Sequence, residues 1–139
     1  MDELNFLYRK AEEPSKDMSE YWKYTISKNE YPKHTEYGGK WLIFCDKKTV
    51  DNTWIRLQDI QQKGMLGNVM KVATALSAMR FNGQHVICIY TYDSRDNNDV
   101  IRVRDSLKSI GFKDPLNYKR DIETKNGVYG NENEFFLTI

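Results

Sequence analysis

Residues 82–111 read NGQHVICIYTYDSRDNNDVIRVRDSLKSIG. Asn82–Gly83 is a tight-turn pair. His85–Tyr92 is β-branched or aromatic almost throughout, which predicts a strand. The polar DSRDN interrupts the run, and Asn98 or Asp99 can cap a helix. Val100, Val103, Leu107 and Ile110 then fall on one stripe at helical spacing, and Gly111 ends it. The helix is polar on its outer face, so it needs a sheet against which to bury that stripe.

Moving toward the N-terminus, Val69–Leu76 is compatible with a strand, although MKVATALSAM also fits a helix. Val50–Lys63 predicts a helix with Val50, Trp54, Leu57 and Gln61 on one stripe and Ile60 beside it; Thr49 is its expected N-cap and Gly64 its stop. Trp41–Cys45 is a short apolar run of strand type. The stretch NEYPKHTEYGG, residues 29–39, is broken by Pro32 and Gly38–Gly39 and reads as a loop. Ahead of it two helices are expected. Asp2–Glu13 would turn Leu4, Leu7 and Tyr8 inward and stop at Pro14; Ser15–Ser27 would place Met18, Tyr21, Trp22 and Ile26 near one face. Toward the C-terminus, Leu116–Ile122 and Glu134–Ile139 read as strands with Asn126–Gly127 as a turn between them. Short turns favour antiparallel neighbours. The expected fold class is α+β: a curved, mainly antiparallel sheet with helices on one face and the other face partly open. Residues 39–139 are expected to form a single α+β domain, preceded by an N-terminal helical and loop extension over residues 1–38.

At 139 residues the chain holds one domain, and 40 % hydrophobic residues suffice for a core. Lys and Arg number 21 against 20 Asp and Glu, so the net charge of +1 gives no global drive toward nucleic acid or an anionic membrane. The two cysteines, Cys45 and Cys88, sit in the apolar runs WLIFC and VICIY, which argues against a disulfide-stapled secreted module. No basic start leads into an apolar core, and no run of about 18 apolar residues exists. The expectation is a cytoplasmic protein with no membrane partner.

Lys40, Lys71, Lys119 and Arg120 stand on strand-like segments. Lys71 interrupts an apolar run and must reach solvent or an anion, because burying a bare ammonium is costly. In period-2 geometry it shares a face with Val69 and Ala73, small enough to leave room for a ligand, while Lys119 lies opposite to Tyr118 and Arg120. One reading is a phosphate clamp in a groove, with Trp41 and Tyr118 beside the cations; the other is a solvated sheet face with snorkelling lysines. Tyr31, Tyr37, Tyr90 and Tyr118 are available for base stacking, which tolerates any base. Trp54 belongs to its helix's apolar stripe. Neither a metal nor a cofactor is expected: His85 and Cys88 would face opposite sides of a strand, there is no dinucleotide or Walker loop and no serine elbow, and DSRDNNDV lacks the glycine and terminal glutamate of a calcium loop.

The runs GKWLIF (39–44), KGMLGNVMKVAT (63–74), HVICIYTYDSRDNNDVIRVRDSL (85–107) and YKRDIETKNGVY (118–129), in this order, resemble the basophilic-leukaemia-expressed protein family. The resemblance implies the fold of the cap-binding translation initiation factor, a curved antiparallel sheet backed by helices with a ligand slot on its concave side. With the strand cations, the leading expectation is a module binding a phosphate-bearing ligand, a nucleotide or RNA, on that face, with Lys71, Lys119 and Arg120 holding phosphate. The paired loop tryptophans with which cap-binding proteins sandwich a methylated guanine are not evident among Trp22, Trp41 and Trp54. Family members also carry the label of a phosphothreonine lyase domain. A β-elimination enzyme of that kind would use Lys71 or Lys119 as base, His34 or His85 as acid, and Arg120 and Arg102 as the phosphate clamp. The Lys-x-His motif of such lyases is missing: Lys33 and His34 are adjacent in a loop. A third reading is a protein–protein adaptor, with the Tyr-rich N-terminal segment docking a partner.

Overall fold

The computed structural model of the protein describes residues 13–122 and 136–139. Six strands form one sheet: β1 (Trp22–Ile26), β2 (Gly39–Cys45), β3 (Val69–Ala73), β4 (His85–Thr91), β5 (Asn117–Arg120) and β6 (Leu137–Thr138). Their spatial order is β1-β3-β4-β2-β5-β6, and every described pairing is antiparallel. Helix α1 spans Val50–Gln62, the single-turn α2 spans Ala75–Ala78 and α3 spans Asn97–Ser109; a 3-10 turn covers Pro14–Lys16.

Alternation along the strands sorts the side chains. Trp41, Ile43, Met70, Val72, Ile87, Ile89 and Tyr118 point to one side and form a single buried cluster with Val50, Trp54 and Leu57 of α1 and Val100, Val103 and Leu107 of α3. Both long helices therefore lie on the same face, here the helix face. The Trp41 indole Nε1 donates to Val100 O at 3.1 Å, tying β2 to α3. Arg104 is fully buried on the same helix, where its guanidinium donates to the carbonyls of Phe112, Asp114 and Ile139 at 2.7–2.9 Å.

Several expectations shift by a residue or a role. Asp96 rather than Asn98 or Asp99 caps α3: its carboxylate accepts from Asp99 N at 3.1 Å. Thr49 holds the expected N-cap position of α1, but its hydroxyl donates to Asp46 Oδ1 at 3.0 Å instead of accepting from a helix amide. The segment MKVATALSAM divides, β3 ending at Ala73 and Thr74 capping α2. Asn82 and Gly83 carry positive φ of 56° and 80°, the turn conformation their sequence predicts, between α2 and β4. The larger correction concerns Ser15–Ser27, expected as a helix. Residues 22–26 are instead an edge strand paired with β3 from Trp22↔Ala73 to Ile26↔Val69. WKYTI alternates: Trp22, Tyr24 and Ile26 turn to one face and Lys23 and Thr25 to the other. Thr25 then meets buried glutamines of α1, its hydroxyl accepting from Gln58 Nε2 at 2.8 Å and its carbonyl from Gln61 Nε2 at 3.1 Å. The helix expected before residue 13 and the Asn126–Gly127 turn lie outside the described residues, as does the start of the Glu134–Ile139 strand, of which Leu137–Thr138 is seen.

Candidate functional site

The residues that alternate with the core set stand on the opposite surface of the sheet, the far face. In one cross-strand row Tyr24 lies across from Lys71, Lys71 from Cys88, Cys88 from Leu42 and Leu42 from Asn117. In the next, Lys40 lies between Tyr90 on β4 and Lys119 on β5. Strand period and register alone thus gather three ammonium groups from β2, β3 and β5 onto one surface. Lys40 and Lys119 are buried to 9 % and 8 % exposure, and Lys71 is half-buried.

Each of two lysines lies against an aromatic ring. Lys71 Nζ is 3.8 Å from the centroid of the Trp22 ring, and Lys40 Nζ is 5.4 Å from that of Tyr90, inside the range of cation–π attraction. Lys40 also reaches Asp121 Oδ1 at 3.4 Å. The other oxygen of Asp121 meets His34 Nε2 at 2.8 Å, and the His34 ring stands edge-on to Tyr90. Gly38 makes this possible, because a Cβ there would overlap the imidazole. Burial holds the Lys71 ammonium below the ordinary lysine value, and the charge of Lys40 adds to the lowering. Burial pushes the Cys88 thiol up to about 11, so it is a neutral group beneath the lysines. Among the described residues, the charged side chains whose fields act on Lys71 are Lys40 and Asp121.

Of the residues singled out from sequence, Lys40, Lys71 and Lys119 share this face, and His34 joins Lys40 through Asp121. Trp41 and Tyr118, expected beside the cations, are fully buried on the helix face, where their rings meet edge-on at 5.1 Å and the Tyr118 hydroxyl pairs with Thr91 at 2.6 Å. Positions 41 and 118 alternate with 40 and 119, so the sheet itself lies between them and the lysines. Arg120 has the parity of Tyr118; its guanidinium lies 4.4 Å from the Phe136 ring centroid. His85 is on the helix face at 2 % exposure with Nδ1 paired to Ala73 O, separated from Lys71 by the sheet. Arg102 belongs to α3 and binds Asp99 and the carbonyls of Gly64 and Leu66. Trp22, Tyr24 and Asp121 also stand on the far face, and none of the three is among the site residues expected from sequence. The alternation in WKYTI was the available signal for the first two.

A six-stranded antiparallel sheet with two long helices on one side and a surface of lysines and aromatic rings on the other defines a class, the fold of the cap-binding initiation factors. Schistosome eIF4E, solved with m7GpppA and 4E-BP, matches with a TM-score of 0.70 at 14 % identity, covering 99 % of this chain and 81 % of that one. C. elegans eIF4E-3, in complex with the 4E-binding protein Mextli and cap analog, matches with a TM-score of 0.64 at 15 % identity over 99 % and 80 % of the two chains. Ascaris suum eIF4E-3 with m7G cap gives 0.56 at 16 % identity over 99 % and 79 %. At such identities the likeness is one of fold. The family model of the basophilic leukemia-expressed protein Bles03 matches residues 32–129, and the chain belongs to that family. Among the described residues no helix is long and apolar enough to cross a membrane.

Proposed function

We propose that the far face binds a phosphate-bearing ligand, a nucleotide or a nucleotide of an RNA, with Lys40, Lys71 and Lys119 holding phosphate. The observation that carries this reading is the placement of three lysines from three strands on one face, with Asp121 beside Lys40. Ammonium groups on one surface attract the phosphates of a ligand, each as a point charge. The solved proteins of the same fold were determined with cap analog and with m7GpppA, ligands of the same class.

Thermal shift against nucleotides, capped and uncapped short RNA, and phosphothreonine peptides tests it. A ligand at about 100 times its dissociation constant adds roughly 2.7 kcal/mol, a shift of several degrees for a domain of this size. Lys71→Ala is expected to abolish the shift while leaving the unliganded midpoint within a few degrees. No shift with any phosphate-bearing ligand sinks the proposal.

A second reading, β-elimination of phosphothreonine, draws support from the lowered ammonium pKa of Lys71, which makes its neutral amine more accessible as a base. The amine would take the α-proton, the Cβ–O bond would break, and phosphate would leave with that electron pair, His34 supplying a proton to it. The product would be a dehydroamino acid with inorganic phosphate, and no water would be consumed. An unchanged peptide mass after prolonged incubation removes this reading and leaves the first in place.

A further inference from the structure

Two aromatic rings on the far face already carry a cation that belongs to the chain. Lys71 Nζ lies 3.8 Å from the Trp22 centroid, and Lys40 Nζ lies 5.4 Å from that of Tyr90. An indole face is the strongest side-chain attractor for a cation, and the face on which Lys71 sits already holds one. Methylation of guanine at N7 gives the base a fixed positive charge, and that is the base named in the ligands of the Schistosome and Ascaris structures. On this face such a base would meet the Lys71 ammonium at Trp22, Lys40 at Tyr90 and Lys119 across from Lys40. Asp121, the carboxylate whose field reaches Lys71, is engaged by both Lys40 and His34.

We propose that Lys71, seated on Trp22, occupies the place a cationic base would take, so that the far face accepts phosphate-bearing nucleotides with an uncharged base and discriminates against N7-methylated ones. The inference rests on the phosphate-ligand reading and adds Lys71 as its specificity-determining residue. A neutral base feels no net repulsion from the lysines while its phosphates are attracted. Tyr24 lies directly across from Lys71 at 60 % exposure and offers such a base a ring to stack on.

The test is calorimetric titration of the full chain with GTP and with N7-methyl-GTP. GTP is expected to bind about tenfold more tightly, the order of effect for one unfavourable charge contact in a partly screened site. In Lys71→Met, GTP should weaken and the ratio of the two affinities should fall toward or below one; in Lys71→Arg, which keeps a cation on the indole, the ratio should hold. Equal or tighter binding of the methylated nucleotide by the wild type overturns the inference and leaves the phosphate-ligand reading standing. A ratio unchanged in a folded Lys71→Met removes Lys71 from it, and should that variant not fold, the wild-type ratio decides. Binding of neither nucleotide overturns the phosphate-ligand reading and the inference together.

Discussion

Two neighbouring residues of β2 face opposite fates. Lys40 goes to the far face and Trp41 to the core, and the same alternation parts Lys119 from Tyr118. Trp41→Phe is therefore expected to lower the thermal midpoint while leaving the dissociation constant for a phosphate ligand within about twofold, since a volume change in a packed core acts on stability first. Lys71→Ala should do the reverse, and loss of binding in Trp41→Phe with an unchanged midpoint would put the indole back at the ligand. Gly39 lies where a Cβ would overlap the Tyr118 ring and hydroxyl, so Gly39→Ala must push that ring off Thr91. A cost of about 1–3 kcal/mol in denaturant unfolding is expected, as for other overpacked cores. The Cys88 thiol, at about 11, should stay unreactive toward a thiol reagent at neutral pH. Rapid modification of the folded protein would show that the surface beneath the lysines is open.

At the scale of elements, the strongly patterned ones were legible. The stripes of α1 and α3 and the β-branched run of β4 each match one period and no other. Gln61 on the α1 stripe was a visible anomaly, and its partner is Thr25 of β1. What was not legible was β1 itself. Met18, Tyr21, Trp22 and Ile26 also sit at helical spacing, and an edge strand whose larger residues face away from the core carries an inverted pattern, apolar outward and polar inward. Only the register with β3 and the glutamines of α1 decide between the two periods. The site was half legible for the same reason: the lysines could be named from their strands, but which aromatic rings stand beside them depends on parity and on β1. The segment leading into β1 is held by Asp17, which accepts from the amide and hydroxyl of Ser19 and pairs with Lys23 at 3.1 Å. These hydrogen bonds bring its carboxyl from 3.8 down to about 2. A depressed acid stabilises the fold fully above its unfolded value and loses that contribution as the pH falls through the folded one. Acid titration should accordingly loosen β1 between about pH 4 and pH 2, and Asp17→Asn should flatten that part of the curve for thermal midpoint against pH. An identical curve in the variant would assign the acid transition to other carboxylates.

For the whole molecule, near-neutrality hides an uneven distribution. The chain's net charge is +1, yet three lysines meet on one face with one adjacent carboxylate among the described residues. Binding of a phosphate-bearing ligand should thus weaken steadily as salt is raised, with a log–log slope of magnitude about 2 for three partly screened cations. A slope near zero would mean that the ligand is held by stacking alone. The site also joins two stretches of chain. Lys40, Lys71 and Lys119 all fall within residues 32–129, the span matched by the family model, whereas Trp22 and Tyr24 precede it. The grip on phosphate is thus carried by lysines of the matched span, while base preference needs both stretches, Lys71 from within the span and the Trp22 and Tyr24 rings from outside it. A graft replacing β1 would take away the ring on which Lys71 is seated and retune which base is accepted while leaving the three lysines in place, so that related proteins sharing the lysines need not share a ligand.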